Sequence, residues 1–268
     1  METDRWTVEH LTADLRALGV GADLLMVHAS LRAVGPVDGG AHGVIDALEA
    51  AVGRGGTLVM NLGARDDRAW VNDHPEGDRA GLLRGADPFD CRVTPADPDV
   101  GVLAEVFRTR PGTVVSDHPD ARFGARGPLA RDLLDDTPWD DYYGPGSPLE
   151  RFVRAQGRVL RLGADLDTLT VLHYAEYLAP IPVKRRVRRH RVVAGRAGPE
   201  IRVVSCLDDT DGIVDHPGED YFATILRRYL AQGRARQGLV GRATSELIDA
   251  ADVVTFGVEW MTGHLMPA

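Results

Sequence analysis

The stretch Thr168-Leu169-Thr170-Val171-Leu172-His173-Tyr174-Ala175-Glu176 places a hydroxyl, an imidazole and a carboxylate close together along the chain. His173 and Glu176 are three residues apart, a spacing that puts two side chains on one helix face. Thr170 stands three residues before His173, one turn earlier. An imidazole titrates near neutral pH, so this group suits proton removal from an amine or a hydroxyl. The same residues also fit a histidine hydrogen-bonded inside a helical core, and spacing alone leaves both readings open. A metal reading of His-x-x-Glu is incomplete. A site takes about three or four ligands and the other histidines are scattered, so no metal is expected.

A second group is the loop from His28 to Gly40, between the end of an expected strand and an expected helix. Backbone N–H groups in such loops and at helix starts bind phosphate. Arg32 would add a charged clamp. The loop matches neither GxGxxG nor a Walker motif, and a plain β-α turn fits it equally well. A third group is acidic: Asp66, Asp67, Asp167, Glu176, Asp208, Asp209 and Asp211 fall mostly in or beside expected loops. Singly these are solvated surface groups; convergent, they would make a site for a polycation.

The bulk numbers agree with that chemistry. Among 268 residues, 40 acids oppose 31 bases, giving a formal charge of -9. This excess argues against a nucleic-acid backbone binder. The arginine run Arg185–Arg191 alternates as an exposed strand would. Hydrophobic residues at 44% and charged residues at 26% exclude a disordered chain. Cys91 and Cys206 are expected as reduced thiols. The start Met1–Trp6 is acidic and lacks the apolar core of a secretory signal. No apolar run reaches the roughly 18 residues that span a bilayer. A cytoplasmic protein with no membrane partner is therefore expected.

These groups need elements to position them. Thr7 caps an expected helix Val8–Leu18, stopped by Gly19. Strands are expected at Asp23–His28 and Thr57–Leu62, separated by a helix over Val44–Val52; this β-loop-α-β unit marks an α/β protein. Residues 63–98 read as irregular. A helix over Val100–Arg108, a strand start at Gly112–Val115 and a polar loop His118–Gly127 follow. The acidic stretch Asp135–Pro148 carries Trp139, Tyr142 and Tyr143. Ser147 caps a helix Leu149–Ala155 with Pro148 at its first position. The pass continues with strand Arg158–Leu162, helix Leu169–Leu178, two strands within 183–205, helix Tyr221–Ala231, a short segment Gly238–Gly241 and helix Ala243–Ala250. One domain spanning 1–268 is the simplest organisation.

The matching residues identify a family resemblance. LLMVHASLRAVGPVDGGAHGVIDAL (24–48), GTLVM (56–60), PFD (88–90), HPDARFGARGPLA (118–130) and GSPLERFV (146–153) run in order. GRVLRLGADLDTLTVLHYAEYLAPIPVKR (157–185), QGLVGRA (237–243) and DVVTFGVEW (252–260) continue the series. Together they resemble the aminoglycoside 3-N-acetyltransferases of the antibiotic N-acetyltransferase family, which is unrelated to the GNAT fold. The resemblance implies a mixed central sheet flanked by helices, with a smaller lobe from the middle and C-terminal parts. It implies acetyl-CoA-dependent acetylation of the 3-amino group of a deoxystreptamine aminoglycoside, by direct transfer in a ternary complex. His173 would be the general base and Thr170 would help hold the thioester or its oxyanion. Ser30, Leu31, Arg32, Val34, Gly35 and Val37, with Ser147 and Pro148, would form the acetyl-CoA side. Asp167, Glu176, Asp208 and Asp209 would lie around the cationic antibiotic.

One departure concerns Ala223, which stands where near relatives carry a glutamate thought to orient the histidine. Either the chain is a crippled, inactivated variant, or Glu176, Asp209 or Glu219 substitutes; Ala223→Glu is then expected to raise kcat. Other expectations stay open beside this one. They are acyl transfer to another amine, non-catalytic binding of a polycation, and a monomer or a homodimer.

Overall fold

The computed structural model describes residues 5–265. Met1–Asp4, most of the acidic start, and the last three residues lie outside them.

The strands are β1 (Leu24–Ala29), β2 (Thr57–Asn61), β3 (Val114–Val115), β4 (Phe123–Arg126) and β5 (Arg158–Leu162), then β6 (Arg186–Gly195), β7 (Gly198–Leu207), β8 (Arg236–Val240) and β9 (Ala243–Asp249). Seven of them form one sheet in the order β3-β4-β2-β1-β5-β9-β8. The middle strand β1 pairs in parallel with β2 and with β5, while β4 and β9 run antiparallel to their neighbours. This is the mixed α/β sheet expected from the sequence.

Successive strand residues point to opposite faces, and the two faces bury different partners. Leu25, Val27, Leu58 and Met60 pack with α1 (Val8–Leu18), α2 (Leu31–Val34), α3 (Ala41–Val52) and α5 (Val102–Thr109). The intervening α4 (Glu76–Leu82) belongs to the segment after β2. Leu24, Met26, Val59 and Val159 pack with α6 (Ala130–Leu134), α7 (Pro148–Arg154), α8 (Leu172–Leu178), α9 (Tyr221–Ala231) and α10 (Ala250–His264). Thr7 caps α1 and Ser147 caps α7, as expected. No helix among the described residues is long and apolar enough to cross a membrane.

Several expectations need correction. The spacing predicts a helix over Ala243–Ala250, but this stretch is β9, paired with β5 and β8. Ala243, Leu247 and Ile248 imitate a helical period, while Gly241, at φ 59, makes the two-residue turn of a β8–β9 hairpin. These C-terminal strands belong to the main sheet, so the smaller lobe is the β6–β7 ribbon with the segment after β2.

The expected polar loop His118–Gly127 contains β4 and the fully buried Arg122. Its guanidinium donates to the carbonyls of Gly63 (3.2 Å), Pro95 (2.9 Å), Cys91 (2.9 Å) and Thr94 (2.6 Å). Four bonds from one cation thus order the stretch that reads as irregular, which also holds α4 and a 3-10 turn at Ala69–Asp73. That stretch docks on the ribbon. Phe89 exchanges backbone bonds with Val192 (2.8 Å) and Ala194 (2.9 Å), and Asn72 accepts from the His190 N–H (2.7 Å).

Candidate active site

α8 begins at Leu172, later than the expected start at Leu169, so Thr170 lies in the turn before it. The Thr170 carbonyl accepts from the His173 N–H at 3.1 Å. α10 sets the position of α8: a Cβ on Gly257 would come within 2.8 Å of Leu172, so the glycine permits the close approach.

His173 and Glu176 are brought together, with Nδ1 2.8 Å from Glu176 Oε2. A carboxylate only accepts, so Nδ1 carries the hydrogen and Nε2 is the free basic position. Nε2 has no protein partner among the described residues. The ring is clamped on two sides. Tyr143 stacks on it, with centroids 4.9 Å apart and planes 10° from parallel, and Phe222 meets it edge-on at 4.8 Å. The side chain keeps 19% of its surface exposed, so the ring can be reached from the cleft. Burial works against the imidazolium, but the charge and hydrogen bond of Glu176, with Asp209 and Asp220, hold the His173 pKa above its ordinary value.

Glu176 lies behind the histidine, away from solvent: it is 1% exposed, and its second oxygen accepts from the Tyr221 hydroxyl. Its contact is with Nδ1, the nitrogen that an orienting acid would hold. Ala223 is buried in the first turn of α9, its N–H donating to the capping Asp220 at 3.1 Å. Glu219 pairs with Arg227 instead, on the surface.

Two clefts meet at His173. The smaller, about 420 Å³, is lined by Asp167, Glu176, Asp209, Asp211, Glu219 and Asp220, with no lysine or arginine. The larger, about 980 Å³, shares His173 and the Asp209–Asp211 stretch; its β6 wall carries Arg186, Arg188, Arg189 and Arg191, faced by acids from other segments such as Glu76 and Asp120. Asp208 and Asp209 differ in state. Asp208 is buried and accepts from the N–H groups of Thr210 and Asp211, both at 3.1 Å. Asp209 is bound by Arg189 at 2.6 Å and by the Tyr142 hydroxyl at 2.6 Å. Asp167 and Asp211 face the smaller cleft with no ion pair among the described residues. A third cavity of about 780 Å³, between the segment after β2 and β6, adjoins the larger cleft at Ala69, Asp120 and Arg191.

The acetyl-CoA residues expected from the sequence form a separate group. Ser30 caps α2 with its side chain (Ala33 N–H, 3.4 Å), and its own N–H donates to the Leu162 carbonyl at 2.9 Å. The loop thus sits at the carboxyl ends of β1 and β5, where parallel connections leave β1 to either side; such a point commonly receives a ligand. Arg32 is exposed and Gly35 has φ 94, where a side chain is strained. Val34 and Val37 are core residues, and Ser147 and Pro148 are buried at the start of α7, so their side chains build the scaffold. None of these residues lines the three cavities. Just before the loop, burial and nearby Arg161 push the His28 pKa down to about 4. Among the described residues, no group of three or more His, Cys, Asp and Glu side chains is placed to hold a metal ion.

Tyr143, Tyr221 and Phe222 complete the site yet belong to no motif. The available signal is the aromatic cluster within the acidic stretch 135–148 and the aromatic pair opening α9.

The comparisons with known proteins concern the whole chain. The chain is 46% identical over 266 residues to aminoglycoside N(3)-acetyltransferase III of Serratia marcescens, covering 96% of this chain and 98% of that protein. It is 43% identical to aminoglycoside N(3)-acetyltransferase VIII of Streptomyces fradiae, covering 95% and 91%. Among solved structures, AAC-IIIb in a binary complex with CoASH superposes with a TM-score of 0.91 at 41% identity, covering 99% and 100%. AAC-VIa bound to sisomicin gives 0.91 at 40% identity, covering 97% and 99%. A family model described as aminoglycoside 3-N-acetyltransferase matches residues 26–262. With that match spanning nearly the whole described chain, the protein belongs to the aminoglycoside 3-N-acetyltransferase family, a family of acyltransferases.

Proposed function

We propose that this protein, as one acetyltransferase domain, transfers the acetyl group of acetyl-CoA to the 3-amino group of a deoxystreptamine aminoglycoside, with His173 as general base in a ternary complex. The observation that carries this reading is the oriented imidazole. Nδ1 is held by Glu176, and Nε2 is left free beside a cleft where Asp167, Asp211 and Asp220 have no ion pair among the described residues.

An aminoglycoside is a polycation at neutral pH, and a cleft of one sign concentrates the opposite sign. The same carboxylates raise the pKa of a bound ammonium, and an ammonium cannot attack a carbonyl. A base must therefore lie next to the amine, and His173 does. Glu176 stabilises the imidazolium that forms. Tyr143 and Phe222 restrict the ring to one plane, which keeps Nε2 aimed at the amine.

Acetyl-CoA supplies the activated acyl carbon. The exposed Arg32 and the Ser30–Gly35 turn suit its phosphates and pantetheine arm, as does the position at the carboxyl ends of β1 and β5. Thr170, beside the base, is the candidate donor to the carbonyl oxygen as charge develops there.

The test is thiol release from acetyl-CoA with gentamicin, kanamycin, neomycin and apramycin, with the acetylated nitrogen located by NMR. Release with 3-N-acetylated product is expected. Release only with amines of another class would replace the substrate; tight binding without release would make the protein a polycation binder. CoA release unaffected by EDTA is expected.

A further inference from the structure

Glu176 is 1% exposed, and a carboxylate so buried stays charged only if its oxygens are hydrogen-bonded. His173 serves Oε2 and the Tyr221 hydroxyl donates to Oε1. The same hydroxyl accepts from the Ile213 N–H at 3.3 Å, which directs its own proton toward Glu176. Ile213 ends the turn that carries Asp208, Asp209 and Asp211, and Gly212 lies against the tyrosine. A Cβ there would meet Cε1 at 2.8 Å and the hydroxyl oxygen at 3.2 Å, at a backbone φ of +81°. Tyr221 therefore touches the carboxylate behind the base and the acidic turn in front of it.

We propose that Tyr221 is a positioning residue for the base. Its hydroxyl fixes Glu176 against His173 and ties that pair to the acidic turn 208–213. This rests on the reading of His173 as general base. The tyrosine opens α9 two residues before Ala223, so the hydroxyl supports the dyad from the helix where relatives are expected to carry an acid. A phenol cannot supply a negative charge, but it can hold one in place.

The groups facing the pair set the sign of the effect. His173 is faced by Glu176 on its own helix, by Asp209 with its partner Arg189, and by Asp220 at the start of α9. Glu176 is also felt by Lys184, and the His216 ring meets Tyr221 at 6.2 Å. Donation from Tyr221 keeps the buried Glu176 carboxylate charged and turned toward the imidazole. Without it, Glu176 holds the imidazolium less well, burial counts for more, and His173 becomes easier to deprotonate.

The test is the pH dependence of kcat and kcat/KM for Tyr221→Phe, with the His173 ring followed by nitrogen NMR. We expect kcat to fall about tenfold, a modest part of what a positioned base contributes. The acid limb and the His173 titration should both move down by about half a unit or more, a shift that a loss of fold stability alone does not produce. An acid limb that stays in place or moves up overturns the proposal.

If Tyr221→Phe does not fold, Gly212→Ala presses a Cβ on the tyrosine and moves ring and hydroxyl together away from Glu176. The same downward shift is expected, and an unchanged limb again overturns the proposal. His173→Gln separates the two levels. If it loses turnover while Tyr221→Phe keeps the parental profile, only the tyrosine's role fails. If it retains turnover, the base assignment fails and the tyrosine's role with it.

Discussion

The ring of Tyr143 lies flat on the imidazole of His173, 4.9 Å between centroids and 10° from parallel. Tyr143 is itself buried and braced edge-on by Tyr142 at 4.7 Å, so the histidine rests on a fixed surface. A base that must meet a substrate amine gains from this, because small displacements of a reacting group cost much of the rate. Tyr143→Ala should lower kcat about tenfold or more. Tyr143→Phe keeps the stack and loses only the long 3.4 Å bond to the Asp120 carbonyl, so it should stay near parental kcat. Steady-state kinetics on both variants checks this; equal losses would mean that the hydroxyl, not the stacking, matters.

The dyad also fixes a pH signature. The His173 pKa is held up against burial by Glu176, so the base becomes active only as pH rises through that raised value. In Glu176→Gln the main upward influence is gone and burial remains. The acid limb of kcat/KM should move to lower pH, while kcat falls because the imidazolium loses its counterion. The linked effect on stability has the opposite sense: the raised pKa stabilises the fold below the ordinary histidine value, and that gain disappears as pH rises past the folded pKa. Thermal melts of parent and Glu176→Gln from pH 5 to 9 should therefore diverge most at the acid end. Parallel melts would count against the ion pair.

The acidic wall makes a separate prediction. Asp167 and Asp211 line the smaller cleft with no ion pair among the described residues, whereas Asp208 and Asp209 are engaged by arginines and backbone. Asp167→Asn with Asp211→Asn should raise KM for an aminoglycoside several-fold at low salt with little change in kcat. The difference should shrink as ionic strength rises and the screening length falls to about 8–10 Å. A KM that ignores both the substitutions and the salt would remove this cleft as the cation site.

Ala223 carries a fourth. With Glu176 already on Nδ1, an added carboxylate in α9 finds the orienting nitrogen of the histidine taken. Ala223→Glu is thus expected to leave kcat within about threefold of the parent, in place of the large gain that the sequence alone suggests. A gain of tenfold or more would show that Glu176 does not do the orienting.

The local parts were legible in the sequence: His173 and Glu176 sit at a helical spacing, Ser30, Ser147 and Pro148 mark helix starts, and Gly35 ends a helix. The parallel strands β1, β2 and β5 were equally plain, being short apolar runs. What was not legible depends on distant segments meeting. Tyr143 and Phe222 come to His173 from a loop and from α9, and no local pattern joins them. Arg122 reads as one more surface arginine, yet its four carbonyl bonds order the whole stretch after β2. Glu176 reads as a substrate carboxylate until Tyr221 is seen to close off its second oxygen. β9 was misread because a strand carrying Leu247 and Ile248 together shows no clean alternation.

The central claim is that Nε2 of His173 takes the proton of the reacting amine. The most direct measurement is acetyl transfer by His173→Gln at saturating acetyl-CoA and aminoglycoside, with antibiotic binding measured by calorimetry on the same protein. Turnover should fall by about a hundredfold or more while the dissociation constant stays within about tenfold, because a lost base acts on the chemical step. Turnover retained within tenfold of the parent would contradict the account.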